Sequence, residues 1–154
     1  MTITFRRLGI EDLEKLMDWR VEVLQTVFDL KEVDTTLIAA NKAYYQSHLC
    51  DGRHIPLIAS VDGMPAACGA ICFQDEMPSP DNPSGKNAYL MNIYCRPAFR
   101  QHGVARDLVE KLIEIAKAQG AGKIYLETTK EGRPVYTSCG FGDYPDMMKL
   151  KSAQ

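Results

Sequence analysis

Long apolar runs are absent from this 154-residue chain. Nothing approaches the roughly 20 consecutive apolar residues that a membrane-spanning helix requires. The opening "MTITFRRLGIEDL" holds no apolar core of a secretory signal. An excess of one charge is also missing. The formal net charge is −2 and the sequence pI about 5.9, so no global field draws the chain to nucleic acid or an anionic membrane. Neither is expected as a partner, and an anionic ligand has to be held by local features. Histidine is scarce, and His48, His54 and His102 are scattered. Cys68 and Cys72 form an isolated pair without further ligands, so no metal site is expected. The five cysteines, Cys50, Cys68, Cys72, Cys95 and Cys139, are odd in number and lack secretory context. They read as reduced thiols in a cytoplasmic protein. No internal repeat is visible.

What is present is ordinary for a globular chain: 45% apolar and 25% charged residues. The length suits one domain spanning 1–154, large enough to bury a core without disulfides. "TITFRRL" alternates as a first strand, with Ile3 and Phe5 on one face. From Ile10 the spacing of Leu13, Leu16, Val23 and Val27 turns helical, with Asp12 and Glu14 in the first turns. Asp34 or Thr35 can cap a second helix through Leu37, Ala40 and Tyr44 towards His48. Two strands follow in "HIPLIASVDGMPAACGAICF", around the Asp62–Gly63 turn. "DEMPSPDNPSGKN" reads as a mobile loop. "AYLMNIYC" is apolar almost throughout and reads as a central strand.

The next helix, "GVARDLVEKLIEIAKAQG", sets Val104, Leu108, Leu112 and Ile115 against Glu110, Lys111 and Glu114, with Gly120 as C-cap. "KIYLETT" is a further strand, "RPVYTSC" a short helix, and "DMMKLK" a final strand. Strand, helix and strand make a βαβ unit with parallel neighbours. The fold class is α/β or α+β, with helices covering a mixed, largely antiparallel sheet.

The turn "FRQHGVA", Phe99 to Ala105, leads from the central strand into that helix. Such a turn leaves backbone N–H groups without intrahelical partners, and with the helix dipole these favour an anion such as a phosphate. Gly103 removes a side chain where a ligand would approach, Ala105 keeps the next position small, and Arg100 and Arg106 add positive charge. No Gly-Lys-Ser/Thr ending marks a nucleotide triphosphatase loop. One glycine stands where a dinucleotide-binding turn has three.

Arg100-Gln101-His102-Gly103-Val104-Ala105, after "IYCRP", resembles the Arg/Gln-x-x-Gly-x-Gly/Ala signature of the GCN5-related N-acetyltransferase (GNAT) superfamily. "VYTSCGF", Val135 to Phe141, is similar to the family's second landmark, a tyrosine followed by Gly-Phe. The resemblance covers nearly the whole chain, most specifically Tyr89 to Phe141. It implies a sheet splayed between the parallel strands at Tyr89–Cys95 and Lys123–Thr128, with a bulge in the first and about four flanking helices. It also implies acetyl-coenzyme A as co-substrate. The pyrophosphate would lie on the amides of Arg100, Gln101, His102, Gly103, Val104, Ala105 and Arg106, and the pantetheine arm along the backbone of Ile93, Tyr94 and Cys95.

The reaction implied is direct acetyl transfer to a primary amine of a small molecule, peptide or protein. A backbone N–H near Ile93–Tyr94 would serve the carbonyl oxygen, Tyr136 would protonate the departing thiolate, and Glu127 would take the amine proton. Tyr89 and Asn92 could hold a relay water, and Asp75 or Glu76 could orient a cationic acceptor. Thr129 stands where many members carry an asparagine that contacts the cofactor. Acceptor choice falls to the first two helices, with Trp19, Arg20, Phe28 and Tyr44 as candidates, and to the Asp75–Asn87 loop. A non-catalytic acyl-CoA-binding domain is the alternative, and a hydrolase built on Cys139 and His102 a third reading. Family members are often dimers, so a homodimer stays open.

Overall fold

The computed structural model describes residues 1–152. Strands β1 (Ile3–Arg7), β2 (His54–Val61), β3 (Met64–Asp75), β4 (Lys86–Cys95) and β5 (Lys123–Leu126) form one sheet in the order β1-β2-β3-β4-β5. All neighbours are antiparallel except β4 and β5. Four helices surround it: α1 (Leu13–Val27), α2 (Thr35–Leu49), α3 (Val104–Ala118) and α4 (Arg133–Ser138). A short 3-10 turn, Ile10–Asp12, precedes α1, and Asp34 caps α2 by accepting the Thr36 N–H at 2.7 Å.

Alternation along the strands separates the two faces. Ile55, Leu57, Ala59, Ala67, Ile71, Ala88 and Leu90 meet Val104, Leu108, Val109 and Leu112 of α3. Those four α3 side chains are at most 1% exposed, and burial of a leucine of this kind contributes about 1.5–3 kcal/mol. The opposite face pairs Ile58, Cys68 and Tyr94 with Leu16, Trp19, Val23 and Tyr45 of α1 and α2. Gly120, at φ +83°, ends α3 in the left-handed conformation.

Two expectations change. The Asp75–Asn87 stretch is not loose: β3 runs to Asp75, β4 starts at Lys86, and the residues between them wrap around Asn82, which is fully buried. Asn82 Nδ2 donates to Asn87 Oδ1 at 2.7 Å, and the Gly85 N–H donates to the Asn82 carbonyl at 3.0 Å. Proline and glycine here shape a fixed turn. Second, Asp146–Lys151 forms no strand. Its alternation is strand-compatible, but a strand also needs a paired neighbour and a buried face. Met148 is 99% and Leu150 94% exposed. β5 therefore lies at an edge of the sheet.

Candidate active site

β4 is longer than its parallel partner. β4 and β5 pair only from Asn87–Lys123 to Leu90–Leu126, so the β5 side of β4 has no strand beyond Leu90. The pairing with β3 slips at the same place. Cys68 stands opposite Tyr94 and Ala70 opposite Met91, so β4 carries one extra residue around Asn92–Ile93. Asn92 adopts φ +57°, a conformation asparagine tolerates better than most residues. Gly69 faces the bulge, and a Cβ there would meet Leu112 Cδ1 at 3.1 Å and Ile93 Cγ1 at 3.2 Å. The expected bulge is present, and the sheet opens beside it.

The side chains of Ile93 and Cys95 pack towards α3, while Tyr94 is buried on the α1 face. Burial pushes the Cys95 thiol above its ordinary range, the opposite of what a nucleophile needs. Arg96 anchors the strand end: Nε and Nη2 each donate to the Glu22 carboxylate at 3.0 Å, and the guanidinium lies 4.0 Å from the Trp19 ring centroid. That fork, foremost, holds the Glu22 carboxyl below the usual range.

The chain then turns through Pro97–Phe99 into α3. Gln101 at φ +65° and Gly103 at φ +79° are both left-handed. The first bond of the helix runs from the Asp107 N–H to the Gly103 carbonyl at 3.0 Å. Among the described residues, the amides of Gln101 through Arg106 have no acceptor outside the regular elements. A Cβ on Gly103 would meet nothing within 4 Å, so the space beside these donors is open. Arg100 Nε donates to the Cys95 carbonyl at 2.9 Å, tying the turn to the end of β4. Arg106 is exposed and pairs with Glu110 at 3.2 Å. The His102 side chain lines a different hollow with Met1, Val61 and Asp62.

Tyr136 is half-buried on α4, edge-on to Phe141 with ring centroids 6.1 Å apart. It lines a cavity of about 520 Å³ with Leu126, Thr128 and Tyr144. Burial first, then the Cys139 thiol, raises its pKa. Glu127 is exposed just past β5, facing the Tyr89 hydroxyl. Burial, and next the Glu127 charge, raises the Tyr89 pKa. Glu127 and Tyr136 thus bracket the segment that leaves β5.

Other candidates are engaged elsewhere. Glu76 is held by Lys123 at 3.1 Å and by Asn87, so it serves the turn around Asn82. The Thr129 hydroxyl accepts the Gly132 N–H at 3.3 Å, within the turn before α4. Cys139 Sγ lies against the Arg106 carbonyl at 3.8 Å, while His102 lines its separate hollow, so no Cys–His pair forms. Phe28 is exposed and Trp19 is core. Among the described residues no group of three His, Cys, Asp or Glu could hold a metal ion, and no helix is long and apolar enough to cross a membrane.

A second cavity of about 450 Å³ lies between α1, α2 and β4, lined by Arg20, Asn41, Tyr44, His54, Tyr89 and Asn92 among others. Arg20 and Tyr44 are expected there. Asn41 and His54 are passed over by sequence reasoning. Asn41 precedes Tyr44 and Tyr45 by one helical turn, a signal visible in hindsight. His54 is 2% exposed, and its Nδ1 shares a hydrogen bond of 2.8 Å with the Tyr44 hydroxyl. Burial, foremost, pushes its pKa down to about 4.

The family model described as "Acetyltransferase (GNAT) family" matches residues 13–141. The chain belongs to the GNAT acetyltransferase family. A predicted acetyltransferase from Clostridium acetobutylicum, crystallised with acetyl-CoA, is 27% identical and superposes with a TM-score of 0.84, covering 97% of this chain and 96% of that one. A GCN5-related N-acetyltransferase from Ralstonia eutropha is 24% identical at a TM-score of 0.77, over 97% and 99% of the two chains. A probable glucosamine 6-phosphate N-acetyltransferase 2 from rice is 37% identical over 57 residues, which span 37% of this chain and 34% of the rice protein. These comparisons agree with the mixed sheet and four helices of this acetyltransferase-family chain.

Two outcomes test this geometry. Gly103→Val has to strain a left-handed residue and fill the open space. It is expected to lower coenzyme A affinity at least about tenfold by calorimetry, with helix content retained; undiminished affinity contradicts an anion site at the start of α3. His54 binds its proton more readily unfolded than folded, since its folded pKa is the lower one. Its contribution is complete above the unfolded value and declines as pH falls towards 4. Between pH 6.5 and 5 the wild type loses roughly 1–2 kcal/mol on this account. Denaturant melts of His54→Gln show a flatter pH slope; an unchanged slope refutes the burial assignment.

Proposed function

We propose that this protein is an acetyl-CoA-dependent N-acetyltransferase that transfers the acetyl group directly to a primary amine. One observation carries the reading. The unpartnered amides from Gln101 to Arg106 adjoin the unpaired edge of β4 past Leu90. The first suits a pyrophosphate, and the second suits an extended amide-containing arm added like a strand. The open space at Gly103 supports the fit.

The thioester of acetyl-CoA supplies the activated acyl carbon. Ile93, Tyr94 and Cys95 bind the arm through main-chain groups, which accounts for a cysteine on the wall. A backbone N–H at Ile93–Tyr94 donates to the thioester oxygen as negative charge grows there; a fixed dipole does this without reorganisation. Glu127, directly or through water held by Tyr89, takes the proton that the attacking amine sheds. Tyr136 gives its proton to the sulfur as the C–S bond breaks, leaving an amide and a free thiol. A raised phenol pKa keeps Tyr136 protonated at neutral pH. All five cysteines are free thiols, which supports the cytoplasmic setting.

Tyr136→Phe is expected to lower kcat by roughly 10²–10⁴-fold, with KM for acetyl-CoA changed only a few-fold. Thiol release at saturating acetyl-CoA, over a panel of amines, measures it. Unchanged turnover removes Tyr136 from the mechanism. Acetyl-CoA binding with no thiol released by any amine favours the non-catalytic acyl-CoA-binding alternative.

A further inference from the structure

The cavity between α1, α2 and β4 holds a positive charge that the protein does not neutralise. Arg20 reaches it from α1, its Nε donating to Asn41 Oδ1 at 2.8 Å and its Nη1 to Asn92 Oδ1 at 2.9 Å. Both partners are neutral amides. Among the described residues no carboxylate forms an ion pair with Arg20, and no Asp or Glu lines the cavity. Arg96 offers the contrast: also only partly exposed, it is matched by Glu22. A guanidinium has five N–H donors in a planar fork. Two are spent on holding the Arg20 fork in place, and Nη2 has no protein partner among the described residues.

A second group in the same wall is left unpaired. His54 is 2% exposed, yet its Nε2 has no hydrogen-bond partner. Its other nitrogen is occupied by the Tyr44 hydroxyl. When that hydroxyl donates to Nδ1, Nε2 carries the proton and is a further donor. Buried polar groups are rarely left unsatisfied without reason. The cavity therefore offers donors and one fixed positive charge, with no anion of its own.

Its position relates it to the chemistry. Tyr89, which faces Glu127, and Asn92, the left-handed residue of the bulge, both line it. An amine held at Tyr89 can extend the rest of its molecule into this cavity.

We propose that the cavity takes an acceptor amine bearing an oxyanion, a carboxylate or a phosphate, and that Arg20 selects for that group. This rests on the acetyltransferase reading above. Arg20 binds the oxyanion, and Asn41 and Asn92 are positioning residues that hold the guanidinium in register. The lone cation with no acidic neighbour disfavours polyamines and other polycationic acceptors.

The test is thiol release from acetyl-CoA with matched acceptors: amino acids against their carboxamides, and amino sugar phosphates against the unphosphorylated sugars. The anionic member of a pair is expected to have at least about tenfold higher kcat/KM. Which pair shows it separates carboxylate from phosphate. In Arg20→Met, checked for fold by circular dichroism and for acetyl-CoA binding, the ratio falls to near one; Arg20→Lys keeps part of it. Equal or better turnover of the neutral members by wild type overturns the proposal, as does a ratio that persists in folded Arg20→Met. Calorimetry with the same pairs on coenzyme A-loaded protein decides the case in which no thiol is released. Anion-selective heat lost in Arg20→Met supports the subsite and favours the non-catalytic alternative, and absence of selective heat overturns the subsite.

Discussion

Backbone hydrogen-bonding capacity cannot be left buried and unused, and β4 has more of it than its neighbours consume. β5 answers β4 for four residue pairs and then leaves, while β4 continues to Cys95. The extra residue at Asn92–Ile93 turns the strand at that point. A strand edge exposed inside a protein needs water or a ligand, so the slot beside β4 is the constraint on which the remaining features depend. Gly69 permits the bulge because a Cβ there would crowd Ile93 and the leucines of α3. Arg96, Glu22 and Trp19 hold the far end of the strand against α1.

On the reading proposed above, two kinds of anion recognition lie on either side of that slot. At the start of α3 it is done by main-chain amides with little side-chain help: Arg100 is turned back onto Cys95, and Arg106 onto Glu110. Between α1 and α2 it falls to one side chain, Arg20, held by two amides in a wall without carboxylates. Amide donors are indifferent to the sequence around them, so the cofactor end can be kept while the acceptor end varies. Burial raises the Tyr136 pKa, as suits the proton donor proposed above.

Local chemistry made much of this readable. Gly103 before an amphipathic stripe announced both the turn and α3, and Asp62–Gly63 announced the hairpin of β2 and β3. Tyr136 is a candidate through the Tyr-x-x-x-Gly-Phe pattern and not through periodicity. What escaped depends on contacts far apart in the chain. His54 and Asn41 line one cavity only because α2 lies against β2, and nothing beside His54 in the chain marks it. Asn82 sits among prolines and glycines that suggest a loose loop, and bonds such as those of Asn82 to Asn87 and Gly85 and of Glu76 to Gly85 make the segment a folded turn. Asp146–Lys151 alternates like a strand, but alternation cannot supply a partner.

Amide chemical shifts on titration with acetyl-CoA test the central claim, that main-chain groups of the β4 slot and the α3 turn form one continuous cofactor site. The account predicts that Ile93, Tyr94 and Cys95 shift in the same saturable step as Gln101 to Arg106, and that amides of β1 stay still. Saturable binding that moves neither segment, or moves residues around α2 instead, contradicts it.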